Sequence, residues 1–556
     1  MSPQQKNAEG HAALSSSVRG LAGGRGALLV FCLTFAVGLG FTLLSDNMDM
    51  RDGYYLGYRT SKHLATGQGL AFAPGQRAYT TTSPLNTLLA AGLSYVTGNG
   101  SDGVVLWLCR VLSLGALASA AVLLYKIARA QAWGAPAICV LIGLFAADPK
   151  TVDFSINGRE TGLMMLFLAL TLHALIVPGR HSLARLALAW AGLLWTRPDG
   201  CVYIALIGGA FVLFNAAEGQ AAGRLKLMKR FVLAAAIAAL LYAPWLIFAW
   251  WYYGSPVPQI VFVHALDGTM RASSALPMTL WYLIQRIGAG YSLHLIFAPA
   301  YAERWPVELI MLGTAMTWLA SWYWLLPIGR APAARAVSLA FLAGGGYLAV
   351  VAPSASLWNY PNVAILAIYV IAHAVQQAGA LLALLREALG DRPTLRRLRW
   401  VFHAGVAVLA GGEVLVLVLL AQNMCVKTRQ IEDGQRREIG LWLRDHARGP
   451  DDSVFVDQAG FVGYYSQLRM FDWPGVSSPQ VLAARRSLAP ITAPHWAGLI
   501  ERLHPDWLVL RPQEADVIKQ DEPLLLHDRY APAKVDYYYV VYAAKGAAVA
   551  AGPAMR

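Results

Sequence analysis

Apolar residues dominate this chain in long runs, and polar residues are gathered into the gaps between them. Runs of about twenty apolar residues, enough in helical rise to match a bilayer's hydrocarbon, recur along most of the sequence. They predict membrane spans near 26–44, 103–125, 134–147, 160–177, 184–196, 200–216, 230–252, 305–327, 334–352, 361–385 and 400–421. That makes about eleven transmembrane helices, of which 134–147 and 184–196 are short for a crossing. Segment 84–96 is apolar but too short to span and reads as an interfacial helix; segment 276–297 reads as an interfacial or re-entrant element, because a crossing there would reverse the charge bias downstream. Ser83 stands where an N-cap belongs, with Pro84 at the first helical position.

The pattern changes after about residue 427. Segment 427–448 alternates charged and apolar residues at helical spacing. Segments 453–456, 507–510 and 536–542 are β-branched or aromatic and read as strands. Segments 479–486 and 495–503 between them read as helices. The fold class is a polytopic α-helical membrane protein with a C-terminal soluble α/β domain. Its parts are a disordered tail at 1–25, a transmembrane domain at 26–425 and the α/β domain at 426–556. The large outer loops would be 45–102 and 253–304.

Composition supports this division. The chain has 556 residues, 57% hydrophobic and only 14% charged, where a soluble domain would carry about 25% charged residues. The net charge of +13 would suit nucleic acid, but the basic residues cluster in short loops between apolar runs. With the N-terminus inside, the inner loops hold Lys126 and Arg129; Arg180 and Arg185; Arg224, Lys226, Lys229 and Arg230; Arg330 and Arg335; and Arg386 to Arg399. That is the positive-inside bias, and it argues against a nucleic-acid partner. The first run lacks a small-residue cleavage pattern and reads as an anchor. With the charge bias, it implies a multi-pass membrane protein with a cytoplasmic N-terminus and a C-terminal domain that is periplasmic or otherwise extracytoplasmic.

Chemistry is concentrated just after the first span. Residues 44–89 hold Asp46, Asp49 and Asp52 together with Arg51, Arg59, Lys62 and Arg77. Ionisable groups at a membrane boundary are costly and often mark a substrate site, although a solvated loop has the same composition. The order is Asp52-Gly53-Tyr54-Tyr55, Arg59, Lys62-His63-Leu64-Ala65, Gly67-Gln68-Gly69-Leu70, Phe72, Pro74-Gly75 and Ser83-Pro84-Leu85. It resembles the first outer loop of GT-C glycosyltransferases, closest to the arabinofuranosyltransferase-like and protein O-mannosyltransferase-like group. Further segments resemble later motifs of that family: Asn157-Gly158-Arg159-Glu160-Thr161, Trp195-Thr196-Arg197-Pro198-Asp199-Gly200, and Tyr252-Tyr253-Gly254 with Pro258-Gln259. In the tail, residues 457–466 and 505–510 resemble its periplasmic domain. The family's acidic pair is reduced here to Asp52-Gly53, and Trp358-Asn359-Tyr360-Pro361 stands in place of an Arg-rich motif.

The resemblance implies a glycosyltransferase that takes one sugar, a hexose or a pentose such as arabinofuranose, from a polyprenyl-phosphate donor. The acceptor would be a periplasmic hydroxyl on a cell-envelope glycan, a lipid-linked saccharide or a protein. A hydroxyl attacks better when a carboxylate takes its proton, which makes Asp52 the candidate base and Asp49 the second choice. The leaving phosphate needs cations. Candidates are Arg59 and Lys62 on one face of a loop helix, Arg159 beside Glu160, Arg197 beside Asp199, and His264. On position alone Arg159 and Arg197 fit interfacial snorkelling equally well. His264 fits a structural role, and Glu160 and Asp199 fit a role orienting the arginines. Isolated carboxylates name no metal, so no cofactor is assigned and a divalent cation stays open. A nucleotide-type Gly-rich loop is not apparent, which disfavours a nucleoside-diphosphate donor. The rival readings are a lipid-linked saccharide flippase, and an oligosaccharide ligase or polymerase that uses a diphosphate lipid.

Overall fold

The computed structural model describes residues 3–45, 52–73, 75–215, 221–269, 297, 307–326, 331–351, 357–390, 392–488 and 495–546. Every predicted span falls on a helix. The first is α1 (Pro3–Leu44). It begins well before the apolar run, across residues where composition predicts a disordered tail; no proline interrupts 4–44, and a helix once nucleated propagates cheaply. The first outer loop contributes α2 (Asp52–Ala65) and α3 (Pro84–Val96). Ser83 caps α3 as expected, its side chain accepting the Asn86 N–H at 3.3 Å.

Then come α4 (Asp102–Ala130), α5 (Ala135–Ala147), α6 (Pro149–Ile156), α7 (Thr161–Ile176), α8 (Ser182–Thr196), α9 (Gly200–Asn215) and α10 (Ala221–Tyr253). The short predicted span at 134–147 is one arm of a bent pair: α6 leaves α5 at 43°. The break has a local cause, since Asp148 caps α6 by accepting the Thr151 N–H at 2.8 Å and Pro149 occupies the first turn. After α11 (Gln259–Thr269) follow α12 (Val307–Trp322), α13 (Pro332–Val351), α14 (Pro361–Leu389) and α15 (Pro393–Lys427). The helix expected at 276–297 lies outside the described residues, Phe297 excepted.

Among the described residues, Gly24–Leu44, Asp102–Ala130, Gly223–Tyr253, Pro361–Leu389 and Pro393–His446 are long and apolar enough to cross a bilayer; α7, α8 and α9 are shorter apolar helices. Large apolar side chains face outward, among them Leu28, 64% exposed, Ile247, 70%, and Trp251, 77%. An apolar outer surface this extensive belongs in lipid rather than water. Small residues line the packed interior, as at Ala116, Ala118, Ala120 and Ala121 of α4.

α15 does not stop at the membrane boundary. Its backbone continues through wider, π-type turns at Thr428–Arg437 into α16 (Glu438–His446). The soluble domain is therefore joined by continuous helix rather than by a loop. Its sheet comprises β1 (Ser453–Val456), β2 (Arg469–Asp472), β3 (Trp507–Leu510), β4 (Tyr530–Val535) and β5 (Val540–Ala544), in the order β2-β1-β3-β5-β4. β1 runs parallel to both β2 and β3, and β5 antiparallel to β3 and β4. Helices α17 (Ala459–Ser466), α18 (Pro479–Ser487), α19 (Trp496–Leu503), α20 (Pro512–Asp521) and α21 (Leu525–Arg529) complete it.

The sequence points to β1 and β3 but not to β2 or β4. β4 holds Pro532 and a bulge between Pro532 and Lys534, as an edge strand tolerates. The strand expected at 536–542 starts later, because Tyr537 and Tyr538 form the hairpin turn closed by Asp536 N–H to the Tyr539 carbonyl at 2.8 Å.

Candidate active site

The soluble domain and the first outer loop share a core. Phe72, from the Gly-x-Gly-Leu-x-Phe segment, is buried with Ile439, Val454, Val462, Met470 and Trp507. α2 meets α17 through stacked aromatics: Tyr55 lies 4.6 Å from Phe461 and 4.9 Å from Tyr464, ring centre to ring centre. Such aromatic pairs prefer tilted contacts and bury large areas. The loop also grips the end of α10. Tyr252 accepts the Leu70 N–H at 3.0 Å, and Tyr253 donates to the Leu70 carbonyl at 2.9 Å. Gly69 has a φ of +86° and no room for a Cβ, which would lie 2.5 Å from the Tyr252 hydroxyl oxygen; glycine is the residue that accepts both constraints. Tyr79 stacks on Tyr253 at 4.7 Å and accepts from Trp245 at 2.7 Å. The Tyr-Tyr-Gly segment thus anchors the loop carrying Asp52.

Asp52 opens α2, and its half-buried carboxylate points at the first turn of α17. Oδ1 accepts the Phe461 N–H at 2.7 Å and Oδ2 the Gly460 N–H at 3.2 Å. Arg436 sits nearby, donating to Glu432 at 2.8 Å and to the Tyr539 hydroxyl at 2.8 Å. Asp457 stands at the end of β1 and pairs with Arg511 at 2.6 Å. Burial pushes its carboxyl up to about 6, against the pull of Arg511.

Arg159 comes to the same place from the turn after α6. A Cβ added to Gly53 would lie 2.4 Å from its Nη2, so the guanidinium rests against the residue that follows Asp52. Its other face covers the Trp358 ring at 4.2 Å, a cation–π contact. The turn is fixed by Gly158, with φ +77° and its Cα face pressed on the Tyr54 ring, and by Asn86, which donates to the Gly158 carbonyl at 2.8 Å. Next to it, Arg197 leaves the end of α8 and donates to Glu160 at 2.9 Å and to Asp199 at 2.7 and 3.0 Å. All three are largely buried. Burial opposes the Arg197 charge, and Asp199 and Glu160 more than restore it.

Arg59 and Lys62 take other partners. Arg59 is buried, donates twice to the Leu468 carbonyl at 3.1 Å and covers the Phe72 ring at 4.7 Å. Burial pulls its pKa down to about 10. Lys62 pairs with Asp102 at 2.7 Å, and Asp102 also accepts from Tyr58 at 2.8 Å and from Tyr464. Both cations are thus committed to holding α2, α4 and the soluble domain together. His264 is on α11, with its side chain outside the described residues, as is the whole of Asp49. Among the described residues, no three His, Cys, Asp or Glu groups gather as a metal ion would require. Gly460, Phe461 and Trp358 carry no ionisable group, and residue type alone gave no reason to choose them.

The fold is similar over nearly its whole length to that of a solved protein. Over 95% of its length the chain superposes on 99% of ArnT from Cupriavidus metallidurans in a crystal structure with undecaprenyl phosphate bound, with a TM-score of 0.56 and 15% identity. Against the apo state of the same protein the TM-score is 0.48, with 13% identity over 95% of this chain and 98% of that one. Residues 427–549 match a family described as a domain of unknown function (DUF8728), which spans the soluble domain from the π-type turns onward. No curated protein matches the chain by sequence.

Proposed function

We propose that this protein is a membrane glycosyltransferase moving one sugar from a polyprenyl-phosphate donor to an acceptor hydroxyl. The observation that carries the reading is the likeness in fold, over nearly the whole of both chains, to a protein crystallised with undecaprenyl phosphate. Asp52 takes the proton of the acceptor hydroxyl, whose oxygen bonds to the sugar's anomeric carbon. The bond from that carbon to the phosphate oxygen breaks, and the polyprenyl phosphate leaves with the electron pair. Arg159 and Arg197 stabilise the charge that grows on the phosphate, with Glu160 and Asp199 orienting Arg197; His264 is a further candidate. The partners of Arg59 and Lys62 favour docking roles for both. The basic loops between the spans favour a cytoplasmic N-terminus and a soluble domain on the periplasmic side.

The test is transfer by the purified protein in lipid vesicles, with labelled polyprenyl-phosphate sugar and extracts of envelope glycans, lipid-linked saccharides or proteins as acceptors. Label appearing on one acceptor class, and requiring the monophosphate donor, is the expected result. Movement of intact lipid-linked saccharide across the vesicle without transfer would contradict it. So would transfer only from a diphosphate lipid.

A further inference from the structure

The soluble domain meets Asp52 through the first turn of α17. Gly460 and Phe461 belong to the first turn of α17, where backbone N–H groups have no partner within the helix. Both N–H groups point at Asp52, one to each carboxylate oxygen, at 3.2 and 2.7 Å. The approach is as close as backbones allow: a Cβ on Gly460 would lie 1.8 Å from the Asp52 carbonyl oxygen and 2.9 Å from its Cγ. The partners are 408 and 409 residues apart in sequence, and an unbroken helix from α15 into α16 fixes the domain that brings them together. α17 is further fastened to α2 by the aromatic contacts of Tyr55 and by Tyr464, which donates to Asp102.

We infer that Gly460 and Phe461 are positioning residues for Asp52, so that the soluble domain is part of the catalytic apparatus rather than a cap over it. The inference rests on the reading of Asp52 as the base. A free aspartate at a helix start rotates about two side-chain bonds. Two N–H donors, one on each oxygen, remove that freedom and set the plane of the carboxylate. Each oxygen keeps a second lone pair for the incoming hydroxyl. Geometry held this way matters, because small displacements of a reacting group cost far more rate than affinity.

Two measurements on the full-length protein in lipid test this. Amide exchange compares the parent with Asp52→Asn. Helix-start N–H groups exchange readily unless something outside the helix holds them, so protection at Gly460 and Phe461 in the parent is expected, with one of the two released in Asp52→Asn, whose side chain keeps a single acceptor oxygen. Fast exchange of both in the parent would overturn the inference. The second is a double-mutant cycle between Asp52→Asn and Gly460→Ala, read in turnover. Gly460→Ala alone should lower kcat by about tenfold or more with donor KM little changed, and should cost nothing further when Asp52 is already Asn. Gly463→Ala is the control: its Cβ presses on Met470, Phe72 and Arg59 in the same docking face and does not meet Asp52. Equal losses from Gly460→Ala in both backgrounds, or from Gly463→Ala, would mean a merely structural role and overturn the inference. Full turnover by Asp52→Asn would instead remove the base assignment itself, a result readable without the cycle.

Discussion

Arg197 and Glu160 form an ion pair at 2.9 Å that ties the end of α8 to the start of α7, with Asp199 completing the guanidinium's fork. The two carboxylates hold one cation in a site that is nearly closed to solvent. Removing that cation leaves two buried acids facing each other. Breaking such a pair from one side costs about 3–5 kcal/mol. Arg197→Ala should therefore lower the melting temperature of the protein in detergent and also raise the donor KM, with acceptor KM little changed. Arg197→Lys should restore part of the stability but little of the donor use, because an ammonium cannot reproduce the two-pronged contact. An unchanged donor KM in Arg197→Ala would argue against a role at the phosphate.

Lys62 should behave differently. Its bond to Asp102 is partly exposed, and such pairs contribute about 0.2–1 kcal/mol. Lys62→Ala should leave donor KM unaltered and cost little stability. Asp102→Ala removes the acceptor shared by Lys62, Tyr58 and Tyr464, so it should loosen the soluble domain. Limited proteolysis would read this as faster cleavage in 427–466. A large rise in donor KM for Lys62→Ala would return Lys62 to the phosphate site.

Asp457 gives the soluble domain a pH dependence. Its carboxyl is raised by burial from 3.8 to about 6. The folded form therefore holds a proton that the unfolded form has released between roughly pH 4 and 6, so this group's contribution to stability falls as pH rises through that window. Asp457→Asn removes the dependence. Its melting temperature relative to the parent should rise between pH 4 and pH 7, with the change complete above about pH 6. A difference that is constant across the range would contradict the assigned burial of this carboxyl.

Much of the architecture could be read from the chain because a bilayer demands long apolar helices. The cap at Ser83-Pro84, β1 and β3 were legible for similarly local reasons. The bend at Asp148 was missed because a short apolar run ending in Asp-Pro reads as a stop, not as a turn within one path. β2 is four residues long and β4 carries a proline, so neither shows a strand pattern. Spacing places Arg59 and Lys62 on one helix face but says nothing of what packs on that face. Their partners are Leu468 and Asp102, one of them from a segment about four hundred residues away. The Asp52–Phe461 contact was illegible for the same reason: the donors are backbone N–H groups, which every residue but proline has.

The central claim is that the Asp52 carboxylate takes the acceptor's proton in a sugar transfer from a polyprenyl phosphate. The direct test is single-turnover transfer by the purified parent and Asp52→Asn in the same lipid, with saturating labelled polyprenyl-phosphate sugar and matched folding by melting temperature. The account predicts at least about a hundredfold slower transfer by Asp52→Asn, the lower range for a lost general base, with donor binding preserved. Transfer at the parent's rate would contradict it.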